Sequence, residues 1–423
     1  MNINSLYNRR KCGEQWNTSY PLHPKDWSHY AVSSNLSFEE EKELSFYIHV
    51  PFCKQLCSFC EYTRTYCPNE ESQTIYLNAL LNDIERFKSS KKPFNLIGFD
   101  IGGGTPTALS EKCFEQLMKL YSSAIQGLKL TSDFEPSIEG TFQTASEAKL
   151  KMIATSGIKR ISFGVQSSIP SITSIAKRNA SDLSLMELVF NKSRNAGLKK
   201  INLDFMYGLR NQTIQSLRQD INLIKHLKPE QVTLYELRTN MINETTHINA
   251  DQRYEMYCYY YDELTEMGYY APFGQNTFTS NKADMGLSSY IRHRMVDCAP
   301  YKGFGISAQS MNHKGLSYNI GKNSSSLNDL ILRNSFAEEH TYILPQSEIA
   351  SKYLAIAAYS GAFSLTKLSQ ILDSDANEVF KTQIEFCLRN KLLSFEGETL
   401  RITREGFKYY GAVFSLFYKP TTE

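Results

Sequence analysis

Three things are scarce in this chain of 423 residues: long apolar runs, a dominant charge sign and paired cysteines. No apolar stretch approaches the length needed to cross a bilayer, which excludes a helical membrane span. The opening residues, MNINSLYNRR, lack the apolar core of a secretory signal. Forty-six Lys and Arg stand against 44 Asp and Glu, a formal net charge of +2. That balance gives no electrostatic reason for a nucleic-acid partner. The expectation is a cytoplasmic globular protein, long enough for one large domain and a smaller one.

Short apolar runs alternate with amphipathic stretches from Leu44 onward. SFYIHV (45–50) and FNLIGFDI (94–101) read as strands. So do FEPSIEG, IKRISFGVQ, KKINLDFMYGL and QVTLYELR. Helical periodicity fills the gaps between them, often closed by glycine. Strands and helices alternating at this spacing imply parallel pairing through right-handed crossovers. The expected fold is α/β, a complete or partial (β/α) barrel over 45–320 with its chemistry at the carboxyl ends of the strands. Residues 1–44, with Trp16, Tyr20, Trp27 and Tyr30, read as an extension that packs on the barrel. Residues 321–345 look like a connector. The tyrosine-rich stretch 253–270 reads as an amphipathic packing helix. Residues 346–423 pattern as helices followed by a hairpin and resemble a winged helix. Their nine Lys/Arg against nine Asp/Glu offer no basic footprint for DNA, so a structural or lid role is expected.

Nine cysteines occur, at 12, 53, 57, 60, 67, 113, 258, 298 and 387. An odd number in a chain of this size argues against a disulfide framework. Cys53, Cys57 and Cys60 fall within eight residues, just after a strand. Positions i, i+4 and i+7 would also line one face of a helix, so spacing by itself leaves a packing stripe open. The density of thiols favours a metal or cluster site. Structural zinc wants four ligands, usually as two close pairs, and no second pair stands elsewhere. Iron–sulfur clusters normally take four thiolates; three leave one iron open for a substrate. Cys67 lies outside the spacing and reads as a bystander.

CKQLCSFC resembles the radical S-adenosylmethionine (SAM) signature CX3CXΦC, with Phe59 as the aromatic position. Gly102-Gly103-Gly104-Thr105-Pro106, taken alone, is a tight turn. Following the cysteine loop by one β/α unit, it is similar to that superfamily's glycine motif. YIHVPFC (47–53), SIE (137–139), RISFGVQS (160–167), KRN (177–179) and LDFMYGL (203–209) are closer still to the oxygen-independent coproporphyrinogen III oxidase family and its relatives. This resemblance implies a [4Fe–4S] cluster on Cys53, Cys57 and Cys60, one SAM molecule or two, and an electron donor such as flavodoxin or ferredoxin. It places Tyr47, Phe59, Gly102, Gly103, Gly104, Thr105, Glu139, Gln166, Arg178 and Asp204 around bound SAM, with Tyr47, Glu139 and Arg178 as the catalytic candidates. Arg238, and Gln309 in GFGISAQS (303–310), occupy positions that face SAM in relatives.

The departures bear on the reaction. The oxidases carry a fourth cysteine two residues past the third, where this chain has Tyr62. Their YGLP segment becomes Tyr207-Gly208-Leu209-Arg210. The heme-binding stretch of the related heme chaperones is replaced by Arg292-His293-Arg294-Met295, in which His293 reads as a histidine in a basic patch before it reads as a heme ligand. The expectation is therefore a tailoring or methyltransferase-type enzyme acting on a small molecule. Coproporphyrinogen oxidation and heme chaperoning stand as the alternatives.

Overall fold

The computed structural model describes residues 2–12, 20–21, 24–237, 248–322 and 327–418. In chain order the elements that position the site are helix α1 (Ile3–Cys12), strand β1 (Glu43–Val50), helix α2 (Glu70–Ser90), β2 (Asn95–Gly103), α3 (Glu111–Ile125), β3 (Ser137–Gly140) and α4 (Glu147–Thr155). They continue with β4 (Arg160–Gln166), α5 (Leu183–Asn195), β5 (Lys200–Tyr207), α6 (Ile214–Leu227), β6 (Gln231–Glu236) and α7 (Ala250–Glu266). After these come β7 (Thr277–Thr279), α8 (Ser289–Val296), β8 (Tyr301–Phe304), β9 (Gln309–Asn312), β10 (Gly315–Asn319) and β11 (Glu338–Ile343).

Strands β1 to β6 lie side by side in chain order, every neighbouring pair parallel. β8 adds to the free side of β1, also parallel. The two ends of the sheet run out antiparallel, through β7 on one side and the meander β9–β10–β11 on the other. The ends do not pair with each other among the described residues, so the barrel is partial. The stretch 321–345, expected as a connector, supplies β11, and that strand pairs with Ala31–Val32 of the N-terminal extension.

Alternation along the strands separates two environments. On β1, Phe46 points outward into a cluster of Phe87, Phe94, Phe99 and Phe304, where edge-to-face rings seal the strand against α2. Ser45, Tyr47 and His49 take the other face, toward the barrel axis. The axis is polar. Arg160 donates from Nε to Gln231 Oε1 (2.7 Å) and from Nη1 to Ser137 Oγ (2.8 Å). Asn202 donates to Asp204 Oδ1 (2.7 Å), and Ser162 donates to Asp204 Oδ2 (2.8 Å). Buried polar groups of this kind are tolerated because they satisfy one another. The crossover helices open on side-chain caps: Asn69, Ser110, Ser146, Asp182 and Thr213 each accept a first-turn N–H.

Beyond β11 the chain forms a winged-helix-like unit. Helices α9 (Gln346–Ala357), α10 (Leu365–Leu372) and α11 (Lys381–Arg389) pack beside strands β12 (Ala362–Ser364), β13 (Leu393–Glu396) and β14 (Thr399–Ile402), followed by α12 (Tyr410–Ser415). The unit closes against the barrel mouth. Gly361 and Gly274 touch backbone to backbone, Asn276 N–H donates to Tyr359 O (2.9 Å), and Tyr410 Oη donates to Glu236 (2.6 Å). The N-terminal extension reaches the C-terminal unit as well as the barrel sheet: α1 packs on α12 and α11, and Tyr20 and Trp27 donate to the buried Glu348 of α9. Trp16 falls outside the described residues. No helix among the described residues is long and apolar enough to cross a membrane.

Candidate active site

The cysteine loop starts where β1 ends. Pro51 stops the strand, and the chain doubles back so that Phe52–Cys53 pairs with Thr65–Tyr66. No helix forms over 53–60, which removes the packing-stripe alternative. Cys53, Cys57 and Cys60 line one cavity at the carboxyl ends of β1 to β6, open to solvent at its mouth. All nine cysteines are free. Burial raises the Cys53 thiol to about 11 and also raises Cys60. A thiolate there needs a cation to stabilise it, and metal binding supplies that by displacing the proton.

Among the described residues no three His, Cys, Asp or Glu side chains converge on a point where one metal ion would sit. Thiols that each bind a different iron of a cluster need not converge, so the donor set suits a multi-iron cluster.

Sequence reasoning missed the residue that organises this loop. Arg64 donates from Nη1 to the carbonyls of Cys60 (2.8 Å) and Tyr62 (3.1 Å), and from Nη2 to that of Cys57. Its charge also opposes the burial effect on Cys53 and Cys60. The available signal was a cation four residues past the third thiol. Thr63 was missed as well: its carbonyl oxygen lies 2.8 Å from His49 Nε2, and since a carbonyl only accepts, Nε2 carries the proton. His49 Nδ1 is then free to accept from Tyr47 Oη at 3.3 Å. Burial lowers the His49 pKa to about 4, so the ring is neutral near pH 7.

The glycine run ends β2 against this loop. Gly103 has φ +110°, and a Cβ there would stand 2.4 Å from His49. At Gly104 a Cβ would meet the Pro51 and Phe52 backbone, and at Gly102 the Glu139 carboxylate at 2.7 Å. Three strands therefore approach more closely than any side chain permits. Gly103 N–H donates to Glu139 Oε2 (3.1 Å), and Thr105 Oγ1 donates to Cys53 Sγ (3.6 Å). Burial, with Asp204 adding to it, raises Glu139 to about 7; burial raises Asp204 too.

The KRN segment clasps the loop from the far side. Asn179 and Gln55 exchange two hydrogen bonds (2.7 and 3.2 Å), and Arg178 Nη1 reaches Cys57 Sγ at 3.6 Å while Nη2 donates to Gly164 O. Arg178, expected beside bound SAM, is thus bonded to the loop and to β4. Gln166 sits at a β-bulge with φ 70° that turns its amide back toward Gly164. Phe59 lines the cavity and packs on the cluster of Ile172, Met206, Leu209 and Leu237.

Gly103, Gly104, Thr105, Glu139, Gln166, Arg178, Asp204 and Phe59 all line the cavity that holds the thiols. Gly102 contributes its close approach to Glu139. Tyr47 is not on that lining; it stacks on Tyr290 of α8 (ring centroids 5.7 Å) and bonds His49. Gln309 is bonded to Tyr301, Arg294 and Tyr318, away from the thiols. Arg238 lies outside the described residues.

Comparison with known proteins follows this geometry. Residues 47–224 match the family described as the Radical SAM superfamily. The chain belongs to that superfamily. Within it the chain is HemN-like. It is 26% identical to the heme chaperone HemW of Bacillus subtilis (strain 168) over 384 residues, covering 88% of this chain and 98% of that one. It is 28% identical to the oxygen-independent coproporphyrinogen III oxidase of Escherichia coli (strain K12) over 221 residues, 52% of this chain and 48% of the oxidase. The solved coproporphyrinogen III oxidase (HemN) of Escherichia coli superposes with a TM-score of 0.71 at 20% identity, over 89% of this chain and 90% of that one, and shares its fold. The family's cofactors are a [4Fe–4S] cluster and SAM, and the thiols, glycine run and inward carboxylates fit them.

Proposed function

We propose that this HemN-like radical SAM protein abstracts a hydrogen atom from a carboxylate-bearing tetrapyrrole, as a coproporphyrinogen-oxidase-type enzyme. When bound, the cluster and SAM would supply the one-electron reductive cleavage that yields methionine and a 5′-deoxyadenosyl radical. The chain's own residues bind, orient and exclude. Gly103 and Gly104 leave a backbone cradle free of side chains, and Glu139 with Asp204 offers carboxylates for an ammonium or ribose hydroxyls. Arg178 and Arg64 hold the cysteine loop rigid.

The observation that carries the substrate reading is the aromatic lining of the thiol cavity. Tyr62, Tyr207 and Tyr235 of the barrel line it together with Tyr359 of the C-terminal unit, and Tyr257 and Phe407 pack against each other beside them (ring centroids 4.1 Å). Aromatic faces suit a large flat ring system. The named relatives, oxidases of coproporphyrinogen and heme chaperones, support the same ligand class. They lend no support to methyl transfer, the expectation drawn from the sequence departures.

Heme handling is the second reading, favoured by a chaperone relative that aligns over nearly its whole length. Against it, His293 is already engaged: Nδ1 lies 2.8 Å from Asp297 and Nε2 3.2 Å from Asp133. Nine free cysteines and a thiol cavity open to solvent suit a reducing cytoplasm with a flavodoxin- or ferredoxin-type donor.

Loss of a hydrogen atom from a propionate side chain, followed by loss of carbon dioxide, forms a vinyl group and releases one electron, so the test is anaerobic reconstitution with dithionite, SAM, coproporphyrinogen III and an added one-electron acceptor. The expected products are 5′-deoxyadenosine, methionine and carbon dioxide. Absence of 5′-deoxyadenosine under every condition overturns the enzymatic reading. Its release without carbon dioxide removes the oxidase. A Soret band that is lost in His293→Ala, with no 5′-deoxyadenosine, would establish the chaperone instead.

A further inference from the structure

α8 carries a guanidinium that the fold leaves without a counter-ion. Arg294 lies beside two rings that meet edge to face, its Cζ 4.7 Å from the Tyr301 centroid and 6.0 Å from that of Tyr290. Its hydrogen bonds go to neutral groups: Nη2 to Gln309 Oε1 (3.1 Å) and Nη1 to Tyr290 Oη (3.5 Å). Nε is buried and has no partner. No carboxylate pairs with it among the described residues; Asp297, three positions on, is taken up by His293 and Arg292. Desolvated charges in folded proteins are normally paired, because an unpaired one costs several kcal/mol.

The surroundings repeat the pattern. Gln309 spends its acceptor on Tyr301 and Arg294 and its donor on Tyr318 (2.6 Å), so it braces the guanidinium without neutralising it. A second cation lies over the Tyr318 ring, Lys322, with Nζ 4.6 Å from the centroid. Tyr62 joins this group to the site, since it lines the thiol cavity and lies within electrostatic reach of Cys60, Glu139 and Arg294.

We propose that Arg294 is a substrate-binding residue that receives a carboxylate of the substrate, with Gln309 as the residue that positions it. A guanidinium presents a planar fork of donors, which matches a carboxylate in two parallel hydrogen bonds. A neutral substrate would leave the charge unpaired. The site therefore selects for acid side chains. This inference rests on the tetrapyrrole reading, and its test separates the two.

The probes are coproporphyrin III and its tetramethyl ester, titrated anaerobically into the cluster-loaded protein by quenching of porphyrin fluorescence. Wild type is expected to prefer the acid by about tenfold or more, the scale of a charge-assisted hydrogen bond. Arg294→Gln is expected to lose that preference while SAM affinity, read by equilibrium dialysis, stays unchanged. Should the Gln variant fail to fold, Arg294→Lys keeps the charge and loses the fork, and a partial loss of preference is expected. An unchanged preference in a folded variant overturns the inference and leaves the tetrapyrrole reading intact. Weakened SAM binding with porphyrin preference retained assigns the guanidinium to the SAM carboxylate and overturns it too. Failure of wild type to bind either porphyrin overturns the tetrapyrrole reading and this inference with it.

Discussion

Arg64 shows how much of the site depends on side chains that bear no iron. Three carbonyls of the cysteine loop point at one guanidinium, so a single residue sets the curvature that aims the thiols into the cavity. It also places the positive charge that buried thiolates need. Arg64→Ala leaves every thiol in place and is expected to reconstitute with less than half the iron per chain of wild type, measured by iron and sulfide assay. Arg64→Lys, which cannot bond three carbonyls at once, is expected to recover little of the loss. Iron content equal to wild type in Arg64→Ala would show that the thiols need no such brace. The cysteines themselves were legible by spacing; Arg64 was not, because an arginine past a loop is an ordinary surface residue until its partners are known.

At the scale of the strands, the inner face of the sheet concentrates acids. Asp100, Glu139 and Asp204 lie on β2, β3 and β5, and burial raises all three, Asp100 and Glu139 to about 7. Asp100 accepts from Ser288 Oγ at 2.7 Å, while Oδ1 is buried without a partner. A carboxyl whose folded pKa exceeds its unfolded value binds more protons in the native state between the two. Stability is therefore full below about pH 4 for this group and falls as pH rises through 7. In urea melts of the cluster-free protein, Asp100→Asn is expected to lessen that fall by an amount on the order of 3 kcal/mol between pH 4 and 8. Parallel melts with no difference in pH slope would mean that Asp100 is solvated. The alternation that buries these acids was visible in the strand patterns. Which acids lose water was not, since that depends on α8 closing over β2, where a Cβ at Gly98 would strike the Tyr290 backbone.

Across the whole molecule, the two termini are fastened through one carboxylate. Tyr20 and Trp27 of the extension donate to Glu348 of α9, and Lys352 Nζ donates back to the Tyr20 carbonyl (3.1 Å). The extension also pairs Ala31–Val32 with β11, so it bridges the C-terminal unit and the edge of the barrel sheet. Glu348→Ala leaves two buried donors unsatisfied and is expected to cost about 2–4 kcal/mol, with a red shift of Trp27 emission. A melting temperature unchanged from wild type would show that the strap carries no stability. Tyr359 and Phe407 of the unit expected to play a structural or lid role line the thiol cavity.

The residue order alone determined the catalytic inventory: three thiols at cluster spacing, a glycine run one unit later, and six parallel strands set by alternating pattern. Those are local properties, carried by spacing and periodicity within a few dozen residues. The tertiary structure decided what faces the inventory. Arg64 folds back on its own loop, Arg178 turns to the thiols, Arg294 is left beside two tyrosines with no acid among the described residues, and β11 joins the sheet from a stretch that reads as a connector. Each of these depends on segments up to hundreds of residues apart meeting in a desolvated interior, where the cost of an unpaired charge or an excess Cβ is decided by neighbours that no local pattern names.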